Sequence, residues 1–447
     1  MLILNRTSIA VTLFLFAAVL SACAPPPDLA GVEASFSKGS VGAGANAPSP
    51  RLTQSRFGQL VRSAVETSPN VAQSATRLEA AAANEDAAKG AFLPRVSVGM
   101  NARSKRVQSN IANVTPYVRI SQLVYDGGAA SGDLAAAKAQ VLESRGTQLQ
   151  VAAATALSAI EAYVVVLDRR KILDISSRNV AVHEELVRQI TERSAQGVGS
   201  NADVLTARSR MADARTRLAD AKARLDRADA RFREFFDEAP NALPAPVKAP
   251  KLSRTDAQIV MDSPQVRRAD AALLSARAAQ TAAIARRQPD VHIAAFADRD
   301  DSNDANFGVD LSFNYELDST GQRRASIAAA EAQVKEAEFV REALIREIRR
   351  ELEFVRSDQQ AGAERLQAAR IAVQANADSV AAARAQFTIG RRSLIEILDS
   401  QRDYVNAQER LILAEQSFFL TNYAALSLTG DILDLLGIST VKWGSNL

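Results

Sequence analysis

Cys23 is the only cysteine in the 447 residues and the side chain best placed to undergo covalent chemistry. It closes Leu20-Ser21-Ala22-Cys23, directly after an apolar run from Ile9 to Leu20 that follows Arg6. A basic start, a short apolar run and small residues at its end make an export signal over residues 1–22, and a run this short does not span a bilayer. The tetrapeptide is similar to a bacterial lipobox, in which the cysteine is acylated and becomes the first residue of the mature chain. An ordinary small-residue cleavage site with an incidental cysteine is the alternative. Ala24 stands where aspartate would favour inner-membrane retention, so delivery to an outer membrane is expected. A second anchoring element would make the attachment stable.

The remaining reactive side chains do not assemble a catalytic site. His183 and His292 lie far apart with no nucleophile near either in sequence, which favours a structural role for both. One Cys and two His are too few for a zinc cage built mainly from those residues. Gly197-Val198-Gly199 has no strand before it and no Gly-Lys-Ser/Thr after it, so it reads as a turn between helices and not as a phosphate loop. Lys and Arg number 54 against 51 Asp and Glu, and a net charge of +3 makes no case for nucleic acid. The expectation is a protein that is not an enzyme and needs no metal or cofactor of its own.

The elements that carry these residues are long. Aromatic residues make up only 5% of the chain, and none of the 14 prolines falls between Pro116 and Pro240 or after Pro289. Proline breaks helix interiors, so these two stretches can each hold a very long helix. An internal repeat decides the architecture. Ser68-Pro69 and Pro94 match Ser263-Pro264 and Pro289, and Ala135 to Val141 matches Ala328 to Val334. The second register also aligns Gly197 with Gly390, Ser200 with Ser393, and Asp203-Val204-Leu205 with Glu396-Ile397-Leu398, all 193 residues apart. Each half opens with a Ser-Pro helix start, continues as an alanine-rich helix, and then changes to period-two patterning. The alternation is clearest from Phe307 to Leu317 and weaker from Val96 to Arg103. Beyond Gly127-Gly128 or Gly321 the period is helical again. Leu157, Ile160, Val164 and Leu167 step by three and four along a coiled-coil seam. A helix over 129–195 would be about 100 Å long, and alanine lets such helices pack closely into a tube.

The predicted layout is a signal over 1–22, a lipid-anchored flexible tether over 23–50 and a first repeat over 51–239 with a hairpin at about 95–125. A proline-marked connector over 240–252, a second repeat over 253–436 with a hairpin at about 290–317, and a tail over 437–447 complete it. Four strands cannot close a barrel and would leave sheet edges open unless several chains pooled them. Three copies would supply twelve strands, with polar faces on a water-filled lumen and apolar faces towards lipid. A pair of soluble hairpins packed on helices fits the strand pattern nearly as well. No later segment offers eighteen consecutive apolar residues, so any membrane crossing would be by strands.

The order of long helices and hairpins, the two-fold repeat and Leu123-Val124-Tyr125-Asp126-Gly127-Gly128 at the strand-to-helix return resemble the TolC family of outer-membrane channel proteins. The glycine turns before Asp203-Val204-Leu205 and Glu396-Ile397-Leu398 carry the same resemblance, which extends from about Thr53 to Leu436. It implies a mainly helical homotrimer with a twelve-strand β-barrel in outer-membrane lipid and a long periplasmic α-helical barrel. The implied partners are a periplasmic adaptor and an inner-membrane pump of RND or ABC type. The implied role is an exit duct, with small-molecule efflux favoured over type I protein secretion because many efflux members carry a lipobox. A periplasmic coiled-coil scaffold without a pore is the rival. At the second return, Asn314 to Gly321, only Asp318 and Gly321 match the first copy.

The resemblance also places a periplasmic gate at the tip, comprising Phe387, Arg392, Glu396 and Asp399 in the second half and Asp203 in the first. Glu396 and Asp399 are three residues apart on one helical face, so three copies would present rings of carboxylates that favour cations and pair with arginine. Without the resemblance, the same acids read as solvated charges at a helix start, where they favour the dipole. The turns at Gln196 to Asn201 and Gly390 to Leu394, with Gly197, Gly199, Gly390 and Leu394, are the implied adaptor contacts.

Overall fold

The computed structural model describes residues 29–39, 48–103, 113–250, 255–299 and 304–438. Cys23 and the signal run lie outside the described residues, as do the hairpin tips at 108–110 and 300–303. Part of the expected extended tether is helical: α1 spans Ala30–Gly39. Prolines flank this stretch at Pro27 and Pro48, but none interrupts it, and Glu33 sits favourably in the first turn.

The first half comprises α2 (Pro50–Thr53), α3 (Arg56–Glu66), α4 (Pro69–Lys89), β1 (Arg95–Arg103), β2 (Asn113–Tyr125), α5 (Ala129–Ala195) and α6 (Asn201–Phe236). The second comprises α7 (Asp256–Asp262), α8 (Pro264–Ala285), β3 (Asp290–Arg299), β4 (Ala305–Asn314), α9 (Gln322–Thr388), α10 (Leu394–Thr429) and α11 (Asp431–Leu436). The repeat is exact in length where it is longest: α5 and α9 have 67 residues each, and α6 and α10 have 36 each. Ser68 and Ser263 occupy the N-cap positions of α4 and α8, but neither side chain makes a cap hydrogen bond. The following proline, with its fixed φ and missing N–H, suffices to start each helix. Tyr315 and Leu317, expected to extend the second hairpin, lie beyond the end of β4 in the return to helix.

Both returns rest on the two features that the copies share. Gly128 and Gly321 precede α5 and α9 with φ of 94° and 74°, a left-handed conformation that suits glycine. Asp126 accepts hydrogen bonds from the N–H groups of Gly128 at 2.9 Å and Ala130 at 2.6 Å. Asp318 accepts from those of Arg323 and Arg324, both at 3.1 Å. Free N–H groups at a helix start need such partners, so an acid and a glycine survive where the rest of the motif differs.

The main core surrounds the middle of α5. Ala152, Ala156, Ala159, Ile160 and Tyr163 of α5 are fully buried against Phe57 of α3, Phe232 of α6, Tyr423 of α10 and the residues of α11. Ile438, expected in the tail, is buried in the same core. The fully buried aromatics Phe57, Tyr163, Phe232 and Tyr423 are thus gathered at one level, with the Phe57 and Tyr163 rings 4.9 Å apart edge to face. The connector is strapped across this level: Tyr163 donates to the Pro244 carbonyl and Tyr423 to that of Val247, each at 2.7 Å. Burial pushes the Tyr163 phenol up to about 12, so it remains a donor. Farther along, α5 and α8 touch backbone to backbone. A Cβ at Gly146 would come within 2.9 Å of the Arg268 Cβ and 3.1 Å of its Cα. α5 also contains a stretch long and apolar enough to cross a membrane by composition, but most of that stretch is buried inside the protein.

Candidate functional site

The four strands form one antiparallel sheet in the order β1-β2-β3-β4, with β1 and β4 at its edges. Residues directly opposite in an antiparallel pair share a face. The pairs Val98 with Val118, Ala295 with Val309, and Ala297 with Phe307 therefore lie on one side. The pairs Ser97 with Arg119, Ala294 with Asp310, and His292 with Ser312 lie on the other. The apolar side is not covered by the chain: Val98 is 77% exposed and Phe307 80%. On the opposite side, two rings lie across glycines of the neighbouring strand, Tyr117 over Gly99 and Phe296 over Gly308. The Arg119 guanidinium stands 5.8 Å above the Phe296 ring and reaches Asp310 at 3.7 Å, joining β2, β3 and β4. The glycines let the aromatics lie flat along the sheet. His292 sits near the start of β3, 3.4 Å from Asp290.

At the far end of the helices both hairpins turn in the same way. The N–H of Val198 bonds the Arg193 carbonyl at 3.0 Å, and that of Arg391 bonds the Gln386 carbonyl at 2.8 Å, the six-to-one bond of a glycine helix stop. Gly197 and Gly390 take φ of 76° and 74° there. Leu186 and Ile190 of α5, Val204 and Ala207 of α6, and Ile397 and Leu398 of α10 then pack into one apolar tip cluster, with Ala383 of α9. This cluster brings the sequence-predicted gate residues to one end of the molecule.

Their individual roles are more local than expected. Asp203 and Glu396 are the third residues of capping boxes begun by Ser200 and Ser393. Glu396 accepts from the Ser393 N–H and hydroxyl, both at 2.9 Å. Those bonds, and then the charge of Arg392, hold its carboxyl below the usual range. Asp399 pairs with Arg402 at 3.2 Å. Phe387 packs on the tip cluster beneath the guanidinium of Arg193, which stands 4.7 Å from the ring centroid. The cation over this ring therefore comes from α5 in the first half and not from Arg392 in the following turn. Leu394, expected in an exposed contact turn, is instead 5% exposed in that cluster. Exposed apolar side chains in and beside the two turns include Val198, Ile389 and Ile395, at 71%, 64% and 57%. Of these, only Val198 lies within a turn whose glycines mark it in the sequence.

The sequence matches the family described as "Outer membrane efflux protein" over residues 60–235 and 258–429, most of the chain. It is 26% identical over 416 residues to outer membrane efflux protein BepC of Brucella suis biovar 1 (strain 1330), covering 88% of this chain and 89% of that one. Solved structures share the fold. The Campylobacter jejuni CmeC outer membrane channel matches with a TM-score of 0.78 at 12% identity, over 91% of this chain and 94% of that one. CusC matches with a TM-score of 0.78 at 15% identity, over 87% and 95%. The outer-membrane channel OprN matches with 0.76 at 18%, over 89% and 95%. Exposed apolar and polar sheet faces at one end and paired helical hairpins at the other are thus the parts of a known channel architecture, and the chain belongs to the outer membrane efflux protein family, the outer-membrane exit ducts of tripartite efflux systems.

Proposed function

We propose that three copies of this chain close a twelve-strand barrel and conduct small molecules delivered by a periplasmic adaptor and an inner-membrane pump of RND or ABC type. The observation that carries this reading is the uncovered apolar face of a sheet with two open edges. Such a face and such edges are satisfied together by lipid and by neighbouring copies. The efflux description of BepC favours small molecules over a secreted protein. Cys23 carries the lipid anchor in this reading, and replacing it with Ala would abolish labelling by a radioactive fatty acid.

The gate comprises Asp203, Phe387, Arg392, Glu396 and Asp399. Each capping acid keeps an oxygen for a neighbouring copy, and Arg392 is the cation available beside Glu396. The adaptor contacts the turns around Gly197, Gly199 and Gly390 through exposed Val198 and Ile389. In planar bilayers Arg392→Ala and Asp203→Ala should raise single-channel conductance. Unchanged conductance in both removes the gate assignment. A purified protein that neither conducts nor forms trimers would favour a scaffold, and a deletion strain that retains drug resistance but fails to export a protein would favour type I secretion.

A further inference from the structure

The seam of α5 that runs into the tip reads Ile172, Ile175, Asn179, His183, Leu186, Ile190, with steps of three and four. The first two belong to an apolar cluster with Ala221 of α6 and Val405 and Ile412 of α10. The last two belong to the tip cluster. Between them Asn179 and His183 are each only 7% exposed, so two consecutive seam positions are polar and buried. They border a cavity of about 50 Å³. The charged groups that face it are Arg210, Asp213 and Arg217 from α6 and Asp399 and Arg402 from α10.

The layer is weakly and exchangeably bonded. Buried Gln401 of α10 donates to the Asn179 Oδ1 at 3.4 Å and accepts from Arg384 of α9 at 3.2 Å, so three of the tip helices meet at this one side chain. Arg217 of α6 donates to Asn406 of α10 at 3.3 Å, and Arg402 divides between Asp399 at 3.2 Å and Asp403 at 3.1 Å. The Nδ1 of His183 is buried and has no hydrogen-bond partner among the described residues. A polar layer inside an apolar seam costs stability, and its known use in coiled coils is to fix register or permit a switch. Long side chains with alternative partners at nearly equal distance allow the clusters on either side to shift as units.

We propose that Asn179 and His183 are positioning residues at a joint about which the tip cluster turns against the shaft. The inference rests on the tip being the gate, since Asp399 belongs to both. Burial, and then the charge of Arg210, disfavours the imidazolium of His183. A group depressed in the folded state contributes stability above its unfolded value, about 6.5, and loses it as pH falls towards the folded value. Acid would place a further cation at a cavity lined by Arg210, Arg217 and Arg402, with Asp213 and Asp399 as its acids and Asp403 sharing Arg402, and loosen the joint.

The test uses the full-length trimer with spin labels at Val198→Cys and Ile389→Cys after Cys23→Ala, read by pulsed electron spin resonance from about pH 7.5 to about pH 5. The wild-type distance distribution should broaden or shift with acid, His183→Gln should lose that response, and Asn179→Leu with His183→Leu should give a narrower distribution at both pH values. An acid response retained in His183→Gln, or identical distributions in all three proteins, overturns the joint. Conductance recorded in parallel separates the two readings: tip motion that follows His183 without a change in conductance keeps the joint and removes the gate.

Discussion

α5 and α9 are copies of one element with the same length and the same place in the repeat, yet the chain treats them oppositely. α5 is enclosed by α4, α6, α8 and α10 and buries residues along its whole length. α9 packs mainly on α8 and α10 and leaves Phe339, Phe354 and Ile371 at 70%, 60% and 63% exposure. At one aligned pair the difference is one of size: Gly146, where α5 meets the backbone of α8, aligns with Phe339 on the open side of α9. Where two helices of the chain meet backbone to backbone the contact residue must be small, whereas the open side of α9 carries large apolar groups. Family members are trimeric channels, and under the trimer proposed above the open side of α9 would face a neighbouring copy.

The largest effect should come from exchanging the aligned pair. Gly146→Phe would drive a ring into the Arg268 backbone and abolish the folded trimer, whereas Phe339→Gly should cost only about 1 kcal/mol of helix stability. Heat-dependent gel mobility and thermal unfolding would measure both, and similar losses would show that the two helices are not differently packed. A smaller contrast is expected between Ile160 and Phe354. Ile160→Ala should destabilise the protein by about 2–5 kcal/mol in denaturant unfolding. Phe354→Asp should leave the protomer folded but lower the trimer fraction in mass photometry. The smallest effect should be symmetric: Ser200→Ala and Ser393→Ala each remove one capping hydroxyl and should each cost about 1 kcal/mol. Unequal losses would mean that the difference between the halves extends into the turns.

The halves were legible in the sequence because helix length and strand period are written in local chemistry. Pro116, Pro240 and Pro289 bound the helical stretches, glycines at 197 and 390 set the turns, and Asp126 and Asp318 mark both returns. The site was less legible. Asp203 and Glu396 were visible as acids near a constriction, but their first role is to cap a helix, and the signal for that is a serine three residues earlier, Ser200 or Ser393. Leu394 looked like a turn residue because it follows Gly390 closely, but it is the first residue of α10 and faces the tip cluster. Arg193, which no local pattern singles out, meets Phe387 because the contact joins helices from different halves.

By itself the sequence determined the period of each segment, the places where the chain must turn, and the equivalence of the two halves, since proline, glycine and apolar spacing act within a few residues. Only the tertiary structure decided which copy of the long helix is enclosed, which side of the sheet is left bare, and that two buried polar residues interrupt the seam below the tip. Those outcomes depend on which surfaces meet between segments far apart in the chain, which patterns acting within a few residues do not specify.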